Sequence, residues 1–172
     1  MTYENICGAV GRIIDRCKDR DPVRLCGDMD IILLFQSMGT EKNAVKGFYF
    51  ESHRIRTITV NSDLPEELQR IIAAHELGHA VLHRNERLHS FNELWMFDEA
   101  TSMEREANLF AAELLIEDRD VLELLREGKT FFETAARLSV PAELLDFKLR
   151  IMRDKGYDIK ESPIYAESRF LK

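Results

Sequence analysis

The chain has 172 residues, of which 45% are hydrophobic and 32% charged, and its formal net charge is -7. That length suits one domain with a core of its own, and the composition is that of an ordinary globular protein rather than a disordered or membrane-embedded one. The negative balance argues against tight nucleic-acid binding, because phosphates need a basic footprint.

A helix is expected over residues 4–20, where Ile6, Val10, Ile13, Ile14 and Cys17 fall on one face. Asp21-Pro22 then breaks it. The apolar run in this stretch is too short for a secretion leader. No segment of the chain approaches the roughly eighteen apolar residues of a membrane helix. Cys7, Cys17 and Cys26 follow no metal or redox spacing. They read as free thiols of a reducing compartment, so a cytoplasmic location is expected.

Residues 30–37 are apolar and fit either a first strand or a short helix. The β-rich runs 47–50 and 56–60 read as an antiparallel hairpin, with His53 exposed in its turn. A helix is expected over 64–84, with Asp63 as its N-cap, Glu66 completing a capping box and Pro65 in the first turn. Residues 86–100 read as a loop carrying His89 as a surface histidine. Thr101 or Ser102 then caps a helix over 102–117, whose apolar stripe is Met103, Ala107, Phe110, Ala111, Leu114 and Leu115. Residues 118–126 and 130–154 read as further helical stretches split by Gly128, and the last fifteen residues show no clear pattern. Within them, Thr134 to Leu145 suggests helix, tight turn, helix. Lys148 and Arg150 are balanced there by Glu143 and Asp146, so packing against the rest of the chain, or gripping a protein, is a better reading than DNA binding.

The pentapeptide His75-Glu76-Leu77-Gly78-His79 has the form H-E-x-x-H. Residues i and i+4 lie one helical turn apart on one face, so both imidazoles can reach one ion. Glu76 is rotated about 100° from His75, away from that face. It suits the general base that takes a proton from a water activated at the metal. The motif sits among small and apolar residues, where idle imidazoles are costly. Gly78 inside a helix costs about 1 kcal/mol relative to alanine, which makes sense if something approaches the backbone closely. A third ligand must come from elsewhere. The longer metzincin pattern needs Gly at 82 and His at 85, and Leu82 and Asn85 exclude it. A gluzincin-type glutamate on the second helix fits better. Glu104 is the first candidate, with Asn108 one turn on to hydrogen-bond a histidine ligand from behind. Glu106 competes, but reads as a solvent-facing side chain. His83 can line the cleft, although three ligands along one straight helix cannot surround an ion. Two histidines and a carboxylate suit zinc, with manganese as the alternative.

Ile58-Thr59-Val60-Asn61-Ser62, the Ala-Ala-His-Glu-Leu-Gly-His-Ala-Val-Leu-His run and Glu104-Arg105-Glu106-Ala107-Asn108-Leu109-Phe110-Ala111-Ala112-Glu113-Leu114-Leu115 together resemble the ImmA/IrrE metallopeptidase family. The resemblance covers roughly residues 45–118. It departs where the family's second motif usually ends Leu-Leu-Met-Pro and this chain reads Leu-Leu-Ile-Glu. The resemblance implies one zinc ion held by His75, His79 and Glu104. It also implies a phage or mobile-element setting and an intracellular endopeptidase that cleaves a helix-turn-helix repressor. The expected fold is α+β: a mainly helical zincin-like core over residues 1–125 with a small antiparallel β-sheet, and a helical C-terminal region and tail over 126–172. Two rivals are a non-cleaving antirepressor on the same metal-binding core and a DNA-binding regulator using residues 130–150.

Overall fold

The structure is a computed structural model that describes residues 1–83 and 102–164. The expected loop over 86–100 with His89, the Thr101 cap, and the chain from residue 165 onward lie outside the described residues.

The first helix, α1 (Tyr3–Cys17), begins at Thr2, whose side chain accepts a hydrogen bond from the Asn5 amide. It buries Ile6, Val10 and Ile13 of the expected stripe together with Ala9, while Ile14 and Cys17 are half-buried. The proline expected only to break α1 also starts a second helix, α2 (Pro22–Asp28). Asp21 caps it and Pro22 occupies its first turn, where a missing N–H costs nothing.

Three strands follow: β1 (Ile31–Gln36), β2 (Gly47–Ser52) and β3 (Ile55–Asn61). The β2–β3 hairpin is antiparallel, as expected. Its turn residues His53 and Arg54 have φ values of 51° and 67°, the positive values that a tight two-residue hairpin turn requires. Residues 30–37, left open between strand and helix, supply β1. It pairs parallel to β3 with Ile31 opposite Arg56, so the sheet is mixed rather than wholly antiparallel, in the order β1-β3-β2. Parallel pairing needs a long crossover, here the loop and β2 between β1 and β3.

Asn61 anchors that loop. Its buried amide donates to the carbonyls of Gly39 (2.8 Å) and Val45 (2.9 Å), and its Oδ1 accepts from the amides of Met38 and Asp63. Every hydrogen-bonding position of the side chain is used. Replacing it with alanine leaves four backbone groups to find other partners, and is expected to cost about 2–3 kcal/mol of stability in urea unfolding.

The helix carrying the pentapeptide, α3 (Glu66–Leu82), is shorter than expected and lacks the predicted capping box. Asp63 instead accepts from the Ser37 hydroxyl and the Gly39 amide, each at 2.7 Å. The loop has taken the carboxylate that the helix end was expected to use. Residues 71–80 of α3 are buried without interruption, because the helix packs on β2 and β3 as well as on α2 and α4. A helix covered on both sides needs small residues, and Ala73, Ala74, Gly78 and Ala80 provide them.

The next helix is α4 (Ser102–Leu115). Arg20 bonds the carbonyls of Glu113 and Leu114 at its C-terminus, a favourable place for a cation. Three further helices follow: α5 (Asp118–Arg126), α6 (Phe131–Arg137) and α7 (Ala142–Asp154). The expected turn between α6 and α7 is present, with Ser139 at φ 54°.

Residues 143–149 of α7 are all buried. Three of its charged residues, Asp146, Lys148 and Arg150, are held in ion pairs. Lys148 Nζ lies 2.6 Å from Glu113 and 2.5 Å from Asp118, and Arg150 lies 2.7 Å from Asp146. Such a helix has no face to offer a DNA groove. The three cysteines are free. Burial pushes the Cys7 thiol up to about 11 and Cys26 up to about 12, with nearby carboxylates adding to the effect. Both are therefore protonated and unreactive at neutral pH. Among the described residues, no helix is long and apolar enough to cross a membrane.

Candidate metal centre

The pentapeptide histidines stand one turn apart on α3 and converge on α4. Gly78 allows this convergence. A Cβ placed on it would sit 3.2 Å from the Ala107 Cα and 3.2 Å from the Phe110 side chain. The close approach suggested by a mid-helix glycine is therefore the backbone of α4. At this separation Glu104, in the first turn of α4, reaches both imidazoles.

His75 Nε2 lies 3.1 Å from His79 Nε2 and 3.2 Å from Glu104 Oε2, and His79 Nε2 lies 3.5 Å from Glu104 Oε1. Four ligands about 2.0–2.1 Å from a zinc ion in tetrahedral array have edges of about 3.3 Å. The separations of His75 from His79 and from Glu104 Oε2 match that spacing, and His79 meets the other carboxylate oxygen, Oε1. The donor set of two imidazoles and a carboxylate could hold one divalent ion.

Electrostatics favours ligand forms over protonated ones. Burial pushes the His79 pKa down to about 4, reinforced by the charge of His75 and opposed by Glu104. The imidazole is neutral at physiological pH and keeps a lone pair. Burial alone would raise the Glu104 carboxyl. Its bonds to His75 and His79 outweigh that and hold it well below the usual carboxylate range.

Behind the site, His75 Nδ1 lies 2.9 Å from Asn108 Oδ1. Asn108 is fully buried one turn along α4 from Glu104, the position expected of it. An Nδ1–H donated to Asn108 leaves Nε2 bare toward the site. Glu76 is 2% exposed, and its carboxylate lies near the start of β2. A Cβ on Gly47 would lie 3.6 Å from Glu76 Oε1 and 2.4 Å from Ile72 Cγ2. Gly47 thus keeps the β2 backbone close to the glutamate.

Two expectations need correction. Glu106 does not face solvent: it is 7% exposed, and its Oε2 lies 3.1 Å from His83 Nε2. It also pairs with the α-ammonium of Met1. His83 does not merely line a cleft. It lies behind His79, with the two Nδ1 atoms 3.0 Å apart. The only sequence signal for this pair was the repeat of the four-residue step from His79 to His83. His53 is exposed in the hairpin turn, as read from the sequence.

Comparison with known proteins supports a metallopeptidase lineage. Residues 26–150 match the model of the M78 peptidase family, described as an IrrE N-terminal-like domain. The chain is 33% identical over 146 residues to the uncharacterized immunity region protein 2 of Bacillus phage phi105, covering 85% of this chain and 90% of that protein. It is 35% identical over 95 residues to metallopeptidase ImmA of Bacillus subtilis (strain 168), covering 54% of each. The matched region contains both helices that meet at the histidines, and the phage relative aligns along nearly its whole length. On that ground the chain belongs to the ImmA/IrrE family of metallopeptidases.

Proposed function

We propose that the protein is a zinc-dependent endopeptidase that cleaves a regulatory protein, with a helix-turn-helix repressor as its substrate. The observation that carries this reading is the close approach of His75 Nε2, His79 Nε2 and the two carboxylate oxygens of Glu104, with the buried carboxylate of Glu76 on the residue next to His75. The printed names of the relatives, a metallopeptidase and a phage immunity region protein, support the regulatory setting.

In this reading His75, His79 and Glu104 bind the ion and leave one coordination position for the reaction. When bound, zinc supplies Lewis acidity toward a peptide carbonyl and lowers the pKa of a water. Glu76 takes the proton of the attacking water and hands it to the departing amine. Asn108 fixes the ring of His75. The packing of α3 between sheet and α4 excludes bulk water from the histidine pair and strengthens each of these contacts.

Elemental analysis of the purified protein tests the site. About one zinc per chain is expected, with loss of the metal in a folded His79→Ala variant. Native protein that binds no zinc when supplied with it, while folded, overturns the reading.

A further inference from the structure

We infer that His83 and Glu106 are positioning residues that set the tautomer and aim of His79. The inference rests on the proposed metal site and adds what holds its second histidine. His79, His83 and Glu106 are all buried and form one line, with Nδ1 to Nδ1 at 3.0 Å and Nε2 to Oε2 at 3.1 Å. The proton order follows from the end of that line. An ionised carboxylate only accepts, so His83 donates its Nε2–H to Glu106. With that proton on Nε2, the His83 Nδ1 serves as the acceptor for the Nδ1–H of His79. His79 is left with a bare Nε2 aimed at His75 and Glu104. The same result is reached at His75 by a different device, the neutral amide of Asn108. His79 is thus backed by a carboxylate acting through an intervening imidazole, an arrangement that orients a ligand and raises its basicity.

A simple staple between the end of α3 and the start of α4 would also use these residues, so the test must read more than stability. Zinc affinity, by competition with a chromophoric chelator, is compared in the native protein, His83→Leu and His83→Gln. The glutamine can accept from His79 and donate to Glu106, and the leucine can do neither. Long-range nitrogen–proton NMR of the metal-free proteins reads the His79 tautomer. His83→Leu is expected to weaken zinc binding by about 10–100-fold and to lose the single Nδ1–H form. His83→Gln is expected to retain that form and to stay within about threefold of native affinity, by its intact hydrogen bonds. Should the leucine variant not fold, Glu106→Leu makes the same break from the other end, with the same expected result. An unchanged tautomer and native affinity in a folded leucine variant overturn the inference, whatever happens to its melting temperature. A native protein that binds no zinc removes the metal reading instead, and the tautomer measurement still decides the role of His83.

Discussion

Glu76→Gln is expected to keep about one zinc per chain and to cleave its protein substrate about a thousandfold more slowly, within the range for loss of a general base. Glutamine has nearly the same shape, and position 76 lies off the face that carries the two histidines, so neither folding nor metal binding should suffer. What disappears is the capacity to take a proton from the attacking water. The measurement is kcat on purified repressor, alongside zinc content. The same variant separates cleavage from sequestration. If repressor inactivation persists at full strength while cleavage is gone, the protein acts by binding, and the non-cleaving antirepressor replaces the peptidase reading. If both are lost together, hydrolysis is the mechanism.

The second large effect is expected from Gly78→Val. Even a Cβ at this position meets Ala107 and Phe110 at 3.2 Å, tighter than ordinary contact. Valine adds two methyl groups to that space and has little rotamer freedom inside a helix with which to avoid them. The better helix propensity of a non-glycine residue returns less than 1 kcal/mol, whereas overpacking costs about 1–3 kcal/mol and occasionally more. Because α4 carries Glu104, Asn108 and Glu106, pushing it outward also spreads the three ligand groups. A lower urea midpoint together with weakened zinc binding is therefore expected. A drop in stability with native zinc affinity would mean that the strain is absorbed away from the α3–α4 contact.

The parts of the molecule legible in the sequence are those set by short-range spacing. His75 and His79 share a face because four residues make about one turn, and Glu104 and Asn108 do so for the same reason. The α1 stripe and the β2–β3 hairpin are equally local. What escaped was set by relations between elements. Glu106 reads as a solvent-facing acid from its place on α4 alone, and only the rotation of α4 against α3 brings it to His83. Asp63 has the right spacing for a capping box, but the 37–39 loop lies nearer and takes it. The parallel pairing of β1 with β3 joins residues separated by the whole of β2, which no local pattern encodes. At seven residues, α2 is too short to show a period.

The burial of α7 on all sides also limits how the protein can be divided. Its inner residues Leu144, Leu145, Phe147 and Met152 belong to the same core cluster as Leu77 of α3 and Phe110 of α4. Lys148 and Lys155 neutralise Glu113 and Asp118, where the end of α4 meets the start of α5. A fragment cut after α5 would expose that apolar surface and leave the two carboxylates facing each other without a counter-charge. The segment that reads as helix, tight turn, helix is thus part of the floor on which α4, and with it Glu104, stands. Shortened versions made for expression or crystallisation should keep the chain at least through Asp154.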